Sequence, residues 1–120
     1  MSIHYRGRPF PVRSVLEAKV IEDLLARGVP FQYEAVTVPY RGGAAHYTPD
    51  LHLGPPASTG VFVEIKGRLT PQDQDKHLKV REEHPDMDVR FVFGALGDGP
   101  RWAERHGFEW NIGTVPLEWT

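Results

Sequence analysis

The first helix that the hydrophobic pattern predicts runs from about Val15 to Arg27. Its apolar residues recur every three or four positions, as on the buried side of an amphipathic helix; they are Leu16, Val20, Ile21, Leu24 and Leu25. Ser14 is a suitable N-cap, and Glu17 completes a Ser-x-x-Glu capping box. Gly28 stands where a helix commonly ends. We therefore expect one helix with one buried face.

A second helix is predicted from its first turn rather than from its apolar residues. Thr70 is a suitable N-cap, Pro71 favours the first helical position, and Asp73 stands at the third. Few apolar residues follow, and Pro85 marks the end of the helix after His84. We expect this helix to expose a wide polar face.

Alternating or β-branched segments predict the strands. Phe31–Val38 alternates, with a change of phase at Ala35 and Val36 that is typical of a bulge, and Pro39 is expected to end it. The other predicted elements are strands at Tyr47–Leu53, Val61–Lys66, Val89–Phe93 and Phe108–Ile112, a turn at 54–60, a loop at 94–100, and a short helix at Trp102–His106 that Gly107 ends.

The order of these elements predicts an α/β fold with a mixed sheet flanked by helices. Strand 61–66, helix 71–84 and strand 89–93 form a βαβ unit, whose two strands should be parallel. Residues 1–12 are predicted to form an N-terminal arm without regular structure, and residues 13–120 a single domain. A chain of 120 residues is long enough for one hydrophobic core.

Composition narrows the functional classes only slightly. The absence of cysteine excludes disulfides, thiol catalysis and cysteine-bound zinc, and a reducing cytoplasm is the expected compartment. The apolar runs are too short to span a membrane, and the N-terminal residues do not resemble a secretion signal. A net charge of −2 weakly disfavours nucleic acid, although acidic clusters that bind metal also lower the net charge.

The candidate chemistry lies on two neighbouring predicted strands. Side chains alternate across a strand, so Glu64 and Lys66 share one face of strand 61–66. The turn that precedes this strand can bring Asp50 beside Glu64. Carboxylate oxygens suit Mg²⁺ or Mn²⁺, and a nearby lysine can stabilise the charge that develops during phosphodiester hydrolysis. An ordinary ion pair between Glu64, Lys66 and a surface neighbour is the structural alternative.

Several other charged or polar residues have either a structural or a functional interpretation. Glu17 has a sufficient role in the capping box, but its helix could also direct it towards the carboxylates. The polar residues of the second helix form a solvated face or contact DNA phosphates near the cleavage site; they are Lys76, His77, Lys79 and Arg81. Arg6, Arg8, Arg13 and the adjacent Ser14 are further candidates for DNA contact.

Asp50, Glu64 and Lys66 resemble the Pro-Asp … Glu-x-Lys motif of the PD-(D/E)xK nucleases. The flanking sequence is similar to the bacteriophage endonuclease I family of Holliday-junction resolvases from Arg13 to Trp119. Matching segments are Arg-Ser-x-Leu-Glu-x-Lys-Val at 13–20, Val-Pro-Tyr at 38–40, Tyr-Thr-Pro-Asp at 47–50, Phe-Val-Glu-x-Lys-Gly at 62–67, His-Leu-x-x-Arg-Glu-x-His-Pro at 77–85, Arg-x-Val-Phe at 90–93, His-Gly at 106–107 and Pro-x-Glu-Trp at 116–119.

The resemblance implies a restriction-endonuclease-like fold and two Mg²⁺ or Mn²⁺ ions in each active site. Asp50 and Glu64 would bind one ion with the carbonyl of Ile65, Asp50 and Glu17 would bind the second, and Lys66 would assist the attacking water. It also implies an intertwined homodimer in which residues 38–47 cross between subunits. Each active site would then take its Glu17 from one chain and its other residues from the partner.

The predicted function is therefore metal-dependent cleavage of branched DNA such as a four-way junction, in the cytoplasm of the host cell. No organic cofactor and no membrane partner are expected. Two alternatives remain at this stage. One is a PD-(D/E)xK nuclease that acts on ordinary duplex, mismatches or ends, and the other is a junction-binding module without catalysis.

Overall fold

The computed structural model of the chain describes residues 2–5, 8–54 and 60–120, with side chains described from residue 12 onward. The elements over these residues are β1 (Ser2–Tyr5), β2 (Arg8–Pro11), α1 (Val15–Ala26), β3 (Phe31–Tyr33), β4 (Val38–Tyr40), a 3-10 turn (Arg41–Gly43), β5 (Ala45–Tyr47), β6 (Leu51–Leu53), β7 (Val61–Lys66), α2 (Pro71–Glu83), β8 (Asp88–Phe93), α3 (Asp98–Arg105), β9 (Trp110–Ile112) and a 3-10 turn (Leu117–Trp119).

The centre of the fold is a mixed sheet with the strand order β3-β6-β7-β8-β9. Strand β6 runs antiparallel to β3 and to β7, whereas β7, β8 and β9 are parallel to one another. The predicted α/β class and the parallel βαβ unit are therefore confirmed. A parallel pair requires a crossover connection, and α2 lies within the one that joins β7 to β8.

Because successive side chains of a strand point to opposite faces of the sheet, the apolar residues form two separate clusters. Val63 and Ile65 belong to a cluster with Val20, Ile21 and Leu24 of α1. Phe91 and Phe93 belong to a second cluster with Trp102 of α3. Full burial of one such aliphatic or aromatic side chain contributes about 1.5–3 kcal/mol. These two clusters hold helices against the sheet and thereby fix the positions of residues on its strands.

Helix α1 begins and ends close to the predicted residues, but its capping box is only half formed. The Oγ atom of Ser14 accepts the N–H of Glu17 at 3.0 Å. Gly28 follows the C-cap with a φ of 69°, a conformation that glycine adopts without strain. The carboxylate of Glu17 accepts a hydrogen bond from Tyr33 at 2.5 Å. The side chain of Glu17 therefore makes a tertiary contact instead of completing the capping box.

Helix α2 carries the complete capping box that its sequence predicts. The Oγ1 atom of Thr70 accepts the N–H of Asp73 at 3.1 Å, and the carboxylate of Asp73 accepts the N–H of Thr70 at 3.0 Å. Thr70→Ala should therefore lower the free energy of unfolding by about 1 kcal/mol. Urea denaturation measures this loss, and Thr70→Ser, which retains the hydroxyl, is the control. Equal losses in both variants would contradict the capping role.

The predicted strand Phe31–Val38 is wrong in its length, because its two ends belong to different sheets. Residues 31–33 form β3 in the central sheet, and residues 38–40 form β4 elsewhere. At the break, Glu34 adopts a φ of 47°, and its N–H bonds to the carbonyl of Asp50 at 3.0 Å. The phase change in the sequence thus marks the point where the chain leaves the sheet rather than a bulge.

Residues 38–47 form a β-hairpin within the chain. Strands β4 and β5 pair antiparallel, with Val38 opposite Tyr47 and Pro39 opposite His46. Pro39 therefore lies inside a strand and does not end one. Arg41 at the tip donates its N–H to Glu83 at 2.7 Å and pairs with Asp75, both on α2. The segment predicted to cross between subunits thus folds back on its own chain here.

Other boundaries also differ from the prediction. The N-terminal residues are not an irregular arm throughout, because β1 and β2 pair antiparallel. The predicted strand 47–53 is divided between β5 and β6, and α3 begins at Asp98, within the predicted loop 94–100. The last strand is shorter, at Trp110–Ile112. Most of the turn predicted at 54–60, residues 55–59, and Arg6 lie outside the described residues.

A helix that crosses a membrane must be long and predominantly apolar. Among the described residues, no helix combines sufficient length with sufficient apolar character.

Candidate active site

Asp50 and Glu64 lie side by side because of the register between β6 and β7. Leu51 pairs with Val63 in this antiparallel pair, which places the preceding residue, Asp50, beside the end of β7. The N–H of Ile65 donates to Oδ2 of Asp50 at 2.7 Å. The Pro-Asp and Glu-x-Lys segments therefore meet in space, as the sequence predicts.

Glu64 is a buried carboxylate with few compensating contacts. Only 5% of its surface is exposed. Burial raises the pKa of Glu64 to about 8, and the charge of Asp50 adds to this increase. The Tyr47 hydroxyl donates to Oε1 at 2.8 Å, and Nζ of Lys66 lies 3.9 Å from Oε2. Because Glu64 is buried, the pair with Lys66 is not an ordinary surface ion pair.

Asp50 carries a second unfavourable buried charge. Burial raises the pKa of Asp50 to about 6, although the hydrogen bond from Ile65 opposes the increase. The nearby charge of Glu17 raises it further, and Arg13, whose guanidinium lies 3.7 Å from Oδ1, lowers it. Two adjacent carboxylates with raised pKa values are typical of functional sites, where a bound ligand can compensate their charge.

Glu17 reaches this region from the start of α1. It is 4% exposed, and its Oε1 atom accepts the Tyr33 hydroxyl. Its charge contributes to the electrostatic environment of Asp50. A single chain thus brings Glu17 and Asp50 within electrostatic reach of each other.

The carboxylate oxygens are ligands of the type that divalent cations such as Mg²⁺ prefer. Within the part of the chain that the structure describes, no three His, Asp or Glu side chains converge closely enough to enclose a metal ion. Mg²⁺ is commonly held by one or two carboxylates, with water and phosphate completing its octahedral coordination. Asp50 and Glu64 form such a pair, and burial first, then neighbouring negative charge, raises the pKa of each, so a bound cation would favour their charged forms.

Lys66 is held beside the carboxylates by a second acidic residue. Its Nζ atom lies 3.3 Å from Oδ1 of Asp73, which also belongs to the capping box of α2. Lys76 approaches from the same helix, with Nζ 3.9 Å from the same Asp73 oxygen and 5.6 Å from the ring centroid of Tyr47. Capping of α2 therefore also positions two ammonium groups near the active site.

The residues predicted to contact DNA do not form one surface. Arg13 is exposed near Asp50, and Ser14 is exposed while its oxygen caps α1. Arg81 instead extends towards the region of α3 and β9, where its guanidinium lies 4.4 Å from the ring centroid of Phe108. Arg13, Ser14 and Lys76 remain candidates for phosphate contact beside the carboxylates, whereas Arg81 is directed towards Phe108.

His77 was predicted to contact DNA, and the structure contradicts this. Its side chain is 2% exposed and packs edge-on against Tyr47 and Phe91, with ring centroids at 5.1 and 4.8 Å. Burial lowers its pKa to about 3, so the imidazole is neutral at physiological pH. The spacing of three residues between His77 and Val80 was the available signal, because such residues share one face of a helix.

Sequence reasoning did not identify the tyrosines of the site. Tyr33 donates to Glu17, and Tyr47 donates to Glu64. Tyr47 had a weak signal, since it opens the segment Tyr-Thr-Pro-Asp that carries Asp50. No spacing rule links either tyrosine to its carboxylate, because each pair lies 16 or 17 residues apart in the chain.

The raised pKa of Glu64 predicts a pH-dependent stability in the absence of divalent ions. The folded protein retains a proton that the unfolded chain loses above its ordinary pKa of 4.5. The free energy of unfolding should therefore fall as the pH rises from about 4.5 through about 8, by on the order of 2–4 kcal/mol. Glu64→Gln should remove most of this decrease.

Urea denaturation in EDTA, at about pH 5 and about pH 9, measures the effect. Glu82→Gln, which replaces an exposed glutamate on α2, should retain the pH dependence of the wild type. If stability depends on pH identically in Glu64→Gln and the wild type, the raised pKa of buried Glu64 is wrong.

Comparison with known proteins agrees with the motifs. Residues 4–120 match the family described as phage endonuclease I. The chain is 38% identical over 118 residues to Endonuclease I of Escherichia phage T7, covering 89% of this chain and 76% of that protein. It is 36% identical over 123 residues to Endodeoxyribonuclease 1 of Enterobacteria phage T3, covering 93% and 77% of the two chains. The chain belongs to the phage endonuclease I family.

Proposed function

We propose that this protein is a divalent-metal-dependent endodeoxyribonuclease that cleaves branched DNA at four-way junctions. The observation that carries the proposal is the adjacent pair of buried carboxylates, Asp50 and Glu64, with Lys66 at their edge. Membership of the family supports an endonuclease. The preference for junctions rests on the resemblance of the flanking segments to junction resolvases.

In the proposed mechanism, Asp50 and Glu64 would hold a Mg²⁺ or Mn²⁺ ion with the carbonyl of Ile65, and Glu17 and Asp50 would hold a second. When bound, divalent ions supply Lewis acidity to the phosphate and lower the pKa of water. Water would form a new P–O bond while the P–O bond to the departing sugar oxygen breaks; Lys66 would orient this water and stabilise the negative charge that develops. Arg13 and Lys76 contact phosphates and hold the strand in place.

The test compares cleavage of a four-way junction with cleavage of a linear duplex of matched sequence, in Mg²⁺, Mn²⁺ or EDTA. Paired cuts near the crossover, absent in EDTA, are the expected result. Equal cleavage of the linear duplex would favour a nuclease without branch specificity. Tight junction binding without any cleavage would favour a binding module. Either of these results would overturn the proposed activity.

We further propose that the protein acts as a homodimer, because two paired cuts require two active sites in a fixed relation. In an intertwined dimer, residues 38–47 would cross to the partner, and the β4–β5 pairing seen within one chain would form between the two chains. Each active site would then combine Glu17 of one chain with Asp50 of the other.

Mixed dimers distinguish the intertwined arrangement from a dimer of self-contained sites. Glu17→Ala and Asp50→Ala proteins are each expected to be inactive. After subunit exchange, an intertwined dimer of the two variants has one site with both residues intact and should nick one strand of the junction. Self-contained sites would each carry one defect, so exchange without renewed nicking would contradict the crossing.

A further inference from the structure

We propose that Tyr47 is a positioning residue for Glu64, and that its hydroxyl holds one carboxylate oxygen so that the other is directed towards the metal site. The inference rests on the proposed function, in which Glu64 binds a divalent ion. Tyr47 is 2% exposed, and its hydroxyl donates to Oε1 of Glu64 at 2.8 Å.

The two oxygens of Glu64 have different surroundings. Oε1 is bound by Tyr47, whereas Oε2 is the oxygen near the ammonium of Lys66, at 3.9 Å. Asp50 shows the same division, because Oδ2 accepts the N–H of Ile65 and Oδ1 faces Arg13. The final torsion of a glutamate is soft and roughly two-fold. A fixed donor on one oxygen therefore restricts this torsion and orients the carboxylate.

Tyr47 itself is held rigidly enough to act as this donor. Its backbone pairs with Val38 in the hairpin. Its ring makes an edge contact with buried His77, and Nζ of Lys76 lies 5.6 Å from its centroid. The ring thus has fixed neighbours from α2 while the hydroxyl reaches Glu64 on β7. Loss of a hydrogen-bond partner behind a metal ligand typically lowers metal affinity by about 10- to 100-fold.

The hairpin also supplies a matched control, Tyr40. It is 7% exposed and belongs with Tyr47 and Val80 to one apolar cluster. Packing of the hairpin on α2 involves both tyrosines, but only the Tyr47 hydroxyl bonds to Glu64 among the hydrogen bonds described. Replacement of either tyrosine by phenylalanine keeps the ring and removes one oxygen, so the two variants separate packing from positioning.

The experiment is a calorimetric titration of the full chain with MnCl₂ in the absence of DNA. Tyr47→Phe should bind Mn²⁺ about 10- to 100-fold more weakly than the wild type. Tyr40→Phe should bind within about two-fold of the wild type. In junction cleavage, Tyr47→Phe should require a higher Mn²⁺ concentration for half-maximal rate, and saturating Mn²⁺ should restore most of the rate.

The outcomes separate this inference from the function on which it rests. If Glu64→Gln binds Mn²⁺ as the wild type does, the proposed metal site is wrong. If Glu64→Gln loses binding and Tyr47→Phe retains wild-type affinity, the metal site stands and the positioning role is overturned. Thermal unfolding of both variants is measured in parallel. A lower Tm for Tyr47→Phe with unchanged Mn²⁺ affinity below that temperature would assign the hydroxyl to stability alone.

Discussion

Asp50→Asn is expected to reduce junction cleavage by about 10³-fold or more, because metal ions contribute several kcal/mol to the stabilisation of a phosphoryl transition state. The substitution changes one oxygen to an amide nitrogen and keeps the shape of the side chain. An asparagine oxygen can still accept the N–H of Ile65, which Asp50 binds at 2.7 Å. The buried geometry is thus retained while the negative charge is removed.

Single-turnover rates on a four-way junction, at saturating Mg²⁺, measure this loss. Asp86→Asn is a suitable control, because Asp86 is exposed in the connection between α2 and β8. That connection leads to the end of β8 that pairs with Val61, away from Asp50. The control should cleave at the wild-type rate. A loss below about ten-fold in Asp50→Asn would remove Asp50 from the catalytic centre.

Phe91→Ala is expected to produce the largest loss of stability, about 3–5 kcal/mol. Phe91 is fully buried at the centre of β8, directly opposite Glu64 of β7 in the register of the sheet. Its ring stacks on Phe93 at 5.5 Å and meets the edges of Trp102 and Phe108. Removal of the ring would leave a cavity lined by these aromatic side chains, in addition to the lost burial of apolar surface.

Urea denaturation measures this prediction as a shift in the midpoint at constant slope. Leu117→Ala is the control, because Leu117 is 73% exposed and its removal should change stability by less than about 0.5 kcal/mol. Similar losses in the two variants would show that the cluster around Phe91 does not stabilise the fold. A milder loss in Phe91→Leu, which fills part of the cavity, would support the cavity explanation.

Residue spacing was sufficient to predict which side chains of β7 share one face of the sheet. Glu64 and Lys66 occupy alternate positions of a strongly β-prone strand, and β7 has the predicted bounds, Val61–Lys66. The start of α2 was predictable for a similar reason, since Thr70, Pro71 and Asp73 interact with one another over three residues. Local patterns of this kind depend on backbone geometry, and the rest of the fold leaves them unchanged.

Residue spacing was insufficient to predict side-chain positions that depend on contacts with distant parts of the chain. Glu17 has the position of a capping-box glutamate, but the Tyr33 hydroxyl of β3 binds its carboxylate. The family resemblance implies that segment 38–47 connects two subunits; within the single chain, Val38 and Tyr47 pair in a hairpin, and the crossing stays a prediction. For Glu17, a contact from another part of the chain therefore decided between two side-chain positions that the local sequence permits.

The sequence by itself determined the mixed α/β order, the starts of α1 and α2, the shared face of Glu64 and Lys66, and the family. Only the tertiary structure decided that His77 is buried, that Asp73 holds Lys66, and that Tyr47 binds one oxygen of Glu64. The first group depends on periodicity and short-range hydrogen bonds. The second depends on which side chains meet across helices and strands, and burial there sets the charge and orientation of each group.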